Sequence, residues 1–309
     1  MKPLAEITSD DKWSGEHSDV KTLTLEHHMA ARRGRFSDFF EPLYQVKKFK
    51  TGLLDGKLSG IPFFSQQVLP LVKALQSGNR FAVTQIVKNS PIMRHDTLRD
   101  SKSPLEDLRT ADAFVQSLFS LWGNDSDPLL INSLKAVAAS GLFAIPDVFA
   151  PIVSRADSPD EEEDSAENSD NDPAIDAWNK ALSAPFSQLQ SYVEYVSDRS
   201  PFGTHQGIKG LQFPRVMVIL DDNEARGFMF SYDKLFGAKA PSSTDTKNAE
   251  DGKETSIDRT RRLFYVTCSR TQSSLAVVVY TKEKDKIRDH LRELLWFEDE
   301  EIIEWQSYE

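Results

Sequence analysis

Val216-Met217-Val218-Ile219-Leu220 is an unbroken run of five apolar residues, and Leu275-Ala276-Val277-Val278-Val279-Tyr280 is a second. Runs of this kind are typical of strands buried on both faces of a parallel sheet, whereas a strand with one wet face alternates apolar and polar side chains. Between the two runs Arg261 to Ser269 has helical character, and after them Lys282 to Leu295 forms a charged amphipathic helix. The last third of the chain reads as an α/β lobe built on a parallel sheet.

Working outward, Val20-Lys21-Thr22-Leu23-Thr24-Leu25 alternates as a strand does, and Met29 to Arg33 is helix-forming, which makes a strand-to-helix unit. From Phe36 to Phe149 the apolar residues recur at helical spacing, as in Val68, Leu69, Leu71, Val72 and Leu75, then Phe81, Ile86 and Val87, then Phe114, Leu118, Phe119 and Trp122. Gly and Pro punctuate this region into helices of modest length. The stretch 154–173 holds no large apolar residue and cannot offset its ordering entropy, so it is expected to be disordered. A second polar stretch, 240–255, reads as a flexible loop, and helices resume over 174–196. The expected organisation is a flexible N-terminus at 1–19, a lobe made of 20–45 and 199–309, and a mostly α-helical insertion at 46–198. No internal repeat is evident.

The 309 residues, 39% of them hydrophobic, are enough for about two domains with real cores. No apolar run approaches the roughly 18 residues of a membrane-spanning helix, and the first residues lack the apolar core of a secretory signal. No membrane association is expected, and the cytoplasm is the default compartment. A single cysteine, Cys268, excludes an internal disulfide framework and a zinc site built from several thiolates. The formal net charge of −11 is concentrated: nine acidic residues and no Lys or Arg lie between Asp157 and Asp172, which leaves only −2 for the rest of the chain. Such a charge does not exclude nucleic acid, because binding depends on the phosphates neutralised locally.

Two segments carry candidate chemistry. Thr204-His-Gln-Gly-Ile-Lys-Gly-Leu-Gln-Phe-Pro-Arg-Val-Met-Val-Ile-Leu220 places a His, a Lys and two glycines in a loop directly ahead of a buried strand. Gly207 and Gly210 let backbone approach a phosphate, and Lys209 offers a mobile cation beside it. Taken alone, such a loop is an ordinary turn as readily as a phosphate site. Asp258-Arg-Thr-Arg-Arg-Leu-Phe-Tyr-Val-Thr-Cys-Ser-Arg270 puts basic residues and an apolar stripe on one helix that ends in Arg270. A planar, always charged guanidinium suits a transferring phosphoryl group, although arginines on a helix also pair with carboxylates or face solvent.

The two segments, in this order, resemble motifs V and VI of UvrD/Rep-like superfamily 1 DNA helicases. The motif V tail appears as Lys209-Gly210-Leu211-Gln212-Phe213, and motif VI as Arg261-Arg262-Leu263-Phe264-Tyr265-Val266 followed by Ser269-Arg270. The resemblance is sharp over about 80 residues at the C-terminus and fainter near Leu23 to Arg33. The resemblance implies a RecA-like P-loop NTPase lobe, called 2A in the family, interrupted by a mostly helical 2B-type insertion. Arg270 would be the arginine finger on the γ-phosphate of ATP. Lys209, Gly210 and Gln212 would face the nucleotide, and Thr204 and His205 the backbone of single-stranded DNA. Tyr265 would be a packing residue of the motif VI helix. The partners implied are single-stranded DNA or DNA junctions.

Departures from the family pattern are equally visible. Gln212 stands where the family has Glu, and an amide can bond a sugar hydroxyl but carries no charge. His205 lies one residue before the family's histidine, whose place Gln206 takes, and Ser269 replaces the usual threonine. The sequence contains no G-x-x-x-x-G-K-[ST] and no apolar strand ending in Asp-Glu that would hold magnesium. ATP with Mg2+ is therefore expected to sit mainly on a Walker A/B-bearing first lobe or subunit, and no metal site is expected in this chain. The alternative is a non-catalytic DNA- or protein-binding module of the same fold. His27 and His28 read as structural. Lys47, Lys48 and Lys50, interleaved with Tyr44 and Phe49, read as a solvated helix face or a contact to duplex DNA, and Cys268 as a helix-packing thiol.

Overall fold

A computed structural model of the chain describes residues 2–15, 18–88, 90–93, 103–156, 172–208, 210–227 and 229–304. The chain divides into two compact units, Met1–Ala30 with Pro201–Glu309, and Ala31–Ser200.

The first unit is α/β. Its sheet has four parallel strands, β1 (Val20–Thr24), β2 (Phe202–Thr204), β3 (Phe213–Leu220) and β4 (Thr271–Val279), in the order β2-β1-β3-β4. β3 is an inner strand, and Val216, Val218, Ile219 and Leu220 are all buried, as their unbroken apolar run requires. β1 is also inner, and all five of its residues are buried. β4 departs from expectation: it is an edge strand whose residues are half-buried or exposed, because no strand lies beyond it. β2, at three residues, has no apolar run by which to read it.

Parallel neighbours cannot be joined by a hairpin. Between β3 and β4 the chain returns through the helix Ser256–Cys268, which begins with a reciprocal capping box: Thr255 Oγ1 accepts from Asp258 N, and Asp258 Oδ2 accepts from Thr255 N, both at 3.1 Å. Leu263 and Phe264 of this helix join Val216, Val218, Tyr232 and Phe236 in one core, and Phe264 stacks on Trp296 at 5.8 Å. Between β1 and β2 the sequence passes through the whole second unit.

Two segments expected to be flexible are ordered. Within 1–19, Lys2–Thr8 is helical and Trp13 is fully buried, its Nε1 donating to Ser274 Oγ at 3.2 Å. Arg215 of β3 donates to Asp10 and to Asp19, both at 2.7 Å, so two buried-side ion pairs fasten this stretch to the sheet. Within 240–255, Ser243–Glu250 is a helix. Its Asp245 is buried and accepts from Lys234 Nζ at 2.7 Å, Ser242 N at 3.0 Å and Ser256 N at 2.8 Å. Polar composition concealed both, because one tryptophan and a few carboxylates supply the anchoring.

The second unit is helical among its described residues, with no strand beyond an isolated bridge between Leu129 and Pro185. It takes in residues 31–45, which the sequence had assigned to the α/β lobe. The reason lies in the aromatic core: Phe39 contacts Trp178 and Tyr192 through their rings, and Phe149 meets Trp178 edge-on at 4.9 Å. Gly60 has φ +97° and presses on this cluster, since a Cβ there would stand 2.5 Å from Phe149 Cζ. Phe81, expected in the helical core, is 74% exposed. Of the acidic stretch, residues 157–171 lie outside the described residues. Residues 154–156 belong to the helix Ala150–Ala156, and Asp172 caps Pro173–Leu182 by accepting from Ala174 N at 2.9 Å. Among the described residues no helix is long and apolar enough to cross a membrane.

Candidate functional site

In a parallel sheet all strands start from the same edge. Gln212 directly precedes β3 and Arg270 directly precedes β4, so the two motif segments meet at the starting edge. The contact is direct: Phe213 N donates to Arg270 O at 2.9 Å, and Arg270 Nη1 donates to Leu211 O at 3.4 Å. The guanidinium also donates from Nε to Val266 O at 2.9 Å and from Nη2 to Ser269 Oγ at 3.0 Å. Three of the five N–H groups of the half-buried arginine are thus bonded among the described residues. Two hydrogen bonds in a planar fork match two oxygens of a phosphate.

Gly210 and Gln212 sit beside it. Gly210 has φ +84°, a conformation that L side chains rarely adopt, and open space around the position of a Cβ. Its turn is closed by Leu211 N donating to Ile208 O at 3.0 Å. The Gln212 side chain is exposed, with a long 3.5 Å contact from Gln272 Nε2 to its Oε1. Lys209 lies outside the described residues.

Thr204 and His205 are not part of this cluster. Thr204 ends β2 and is level with Thr24 of β1, while Leu23 is level with Val218. Thr204 therefore stands near the finishing edge, roughly 20 Å along the strand direction from Phe213 at about 3.3 Å per residue. Nor does either side chain face a ligand. Thr204 Oγ1 accepts from Gly207 N at 3.1 Å, and a Cβ on Gly207 would lie 2.9 Å from that oxygen. Gly207 is thus small for Thr204 rather than for a phosphate. His205 is fully buried, with Nε2 3.2 Å from Leu23 O and Nδ1 3.0 Å from Tyr232 OH. A proton on Nε2, donated to the carbonyl, and a lone pair on Nδ1, accepting from the phenol, satisfy both contacts. Burial pushes its pKa down to about 4 and the ring is neutral. The expected DNA contact through these two side chains is corrected on this ground. Gln206, at the family's histidine position, is exposed.

No protein-family model matches this chain, and no curated protein matches it in sequence. What remains to carry a function is the edge that the two motif segments share.

The other candidates resolve locally. Arg261 pairs with Asp258 at 3.4 Å and Arg262 with Glu254, both on the exposed side of the motif helix. Tyr265, expected to pack, is 73% exposed. It looks onto a groove that the sequence did not reveal, lined also by Leu275 and Trp296. Burial raises the Cys268 thiol to about 12, which removes it as a nucleophile at neutral pH. His28 Nε2 lies 2.8 Å from Glu224 O, and burial lowers His27 to about 4. Lys50 Nζ sits 4.5 Å over the Tyr44 ring and Lys48 Nζ 5.7 Å over Phe49. No cluster of potential metal ligands occurs among the described residues.

Proposed function

We propose that this chain is the second motor lobe, RecA-like with a helical 2B-type insertion, of a UvrD/Rep-like DNA helicase or translocase, and that Arg270 is its arginine finger. The observation that carries the reading is the junction of the two motif segments, where Arg270 reaches Leu211 across 59 positions of sequence at one sheet edge. A two-lobe motor needs this arrangement, because the finger must be held rigidly where charge develops on the phosphoryl oxygens.

The residues present fit the part of a nucleotide left to this lobe. The Arg270 guanidinium is the cation for the γ-phosphate, the open space at Gly210 admits a ligand beside the backbone, and the exposed Gln212 amide can bond a sugar hydroxyl. ATP with Mg2+ supplies the phosphoryl group whose transfer to water drives movement, and a Walker-bearing lobe, on the same polypeptide or on a partner, would hold most of it. Single-stranded DNA or a DNA junction is the track. Gln206 is the exposed side chain of the motif V loop on the DNA side of this reading.

The test is ATP turnover of the assembled motor, with its Walker-bearing lobe, in the presence of single-stranded DNA. Arg270→Ala is expected to lower turnover by roughly 10³-fold or more and to leave DNA affinity unchanged. Wild-type turnover in that variant would sink the assignment. A second reading, a non-catalytic DNA- or protein-binding module, is favoured by the three internal acceptors already engaged by the Arg270 guanidinium. It predicts no DNA-stimulated turnover from the wild-type assembly.

A further inference from the structure

β4 has one partner. It pairs with β3, and among the described residues no backbone hydrogen bond reaches its outer edge. Natural edge strands are protected by charged side chains, proline, bulges or a covering element. β4 has protection only at its start, from a bulge where Phe213 is level with Thr271 but Arg215 with Ser274, and from the N-terminal stretch, whose Trp13 meets Ser274. From Ser274 to Val279 the register is regular and the sequence Ser-Leu-Ala-Val-Val-Val contains neither charge nor proline.

The neighbouring surface is shaped for an added strand. Leu275 and Val277 are level with Val216 and Val218 and share their face of the sheet, the face covered by the helix Ser256–Cys268. On that face, an open apolar groove of about 720 Å³ runs along Tyr265, Val266, Leu275 and Trp296. A strand laid on the edge of β4 would drop every second side chain into it.

We infer that the occupant is a second copy of this chain, joined by antiparallel pairing of β4 with β4 about a twofold axis at Ala276. β4 itself has the required pattern: the axis sets Leu275 against Val277 of the second copy, and each copy's apolar face covers the other's groove. Such an interface is isologous and closes on itself, so it gives a dimer with one continuous eight-stranded sheet. Charge permits it. The net −11 of the chain opposes self-association in general, but this edge is uncharged and the groove's charged lining residues, Arg261 and Arg262, are paired with Asp258 and Glu254. Tyr265, Leu275 and Trp296 are 73%, 38% and 37% exposed. That amounts to roughly 300 Å² of side-chain surface per copy when an aromatic side chain counts for about 200 Å². Twice that is about 600 Å², and with the strand backbones added it still lies below the roughly 1,200 Å² of standard specific interfaces, so the dimer is weak and reversible.

The experiment is sedimentation velocity of the full chain from low to several hundred micromolar, with Leu275→Lys and Tyr265→Glu in parallel and circular dichroism to establish that each is folded. Leu275→Lys sets two like charges beside the axis, and Tyr265→Glu replaces apolar contact surface in the groove by a carboxylate without touching β4. The wild type is expected to move from 34.9 kDa towards twice that mass, and each folded variant to need at least tenfold higher concentration. A wild type that stays monomeric throughout overturns the proposal. So does association that persists in both folded variants, since it would use another surface. Neither result touches the Arg270 reading, whose readout is ATP turnover.

Discussion

Lowering the pH should unlock the α/β unit through His205. Its imidazole is fully buried between Leu23 O and Tyr232 OH, and burial holds its pKa at about 4 against an ordinary 6.5. The unfolded chain takes up this proton near pH 6.5, the folded chain only near 4. Between those values the unfolded state binds more protons, so stability is complete above about pH 6.5, declines as the pH falls, and has lost the whole contribution below about 4. A displacement of that size is worth about 3 kcal/mol. That is a large fraction of the 5–15 kcal/mol or so by which domains are stable.

His205→Gln separates this residue from the many carboxylates that titrate over the same range. The amide cannot titrate, and it satisfies at most part of the ring's two contacts, so at pH 7 the variant is expected to be less stable by about 1–3 kcal/mol. Acidification takes about 3 kcal/mol from the wild type and nothing equivalent from the variant. The gap should therefore close, or invert, near pH 4. Cys268, the only thiol, lies half-buried in the same unit and reports its opening. Urea unfolding followed by labelling with an acid-competent pyridyl disulfide gives the stability of that unit at each pH. A stability difference between wild type and variant that stays constant from pH 7 to 4 would refute a buried neutral His205.

Two further substitutions probe the packing. Gly60→Ala combines a φ of +97° with a Cβ 2.5 Å from Phe149, and it should destabilise the helical unit by about 3 kcal/mol, read as an earlier urea transition in the fluorescence of buried Trp178. Burial alone would raise the Asp245 carboxyl, but bonds from Lys234, Ser242 and Ser256 outweigh it and hold the group well below the usual carboxylate range. Asp245→Ala leaves a partly buried ammonium and should cost about 3 kcal/mol, visible as faster hydrogen exchange over 242–256.

How far the sequence could be read depended on how many residues enforced each feature. β3 was legible because five consecutive apolar side chains admit few other environments. β4 has an equally apolar run, yet such a run does not say how many strands lie beside it, so its place at the edge was hidden. Trp13 and the ion pairs of Asp10 and Asp19 with Arg215 fix the N-terminal stretch, and a single aromatic in polar sequence gives no periodicity to detect. Ser242-x-x-Asp245 was a readable helix start, submerged in a composition that pointed to a loop. At the candidate site, Arg270 and Gln212 could be chosen by residue type and order. The inward turn of His205 could not, because its partners Leu23 and Tyr232 are remote in sequence.

The segment from Thr204 to Gln212 crosses from the finishing edge of the sheet to its starting edge, and its two ends differ in freedom. At one end Thr204, His205 and buried Ile208 are fixed by internal contacts. At the other, Gly210 and Gln212 are exposed beside a half-buried Arg270. A loop locked at one end and open at the other is suited to transmit displacement, since closure on a ligand near Arg270 cannot be absorbed by slack near Thr204. Small interior shifts become discrete movements because packed cores deform poorly. The buried neutral histidine holds that end of the segment to Leu23 and Tyr232.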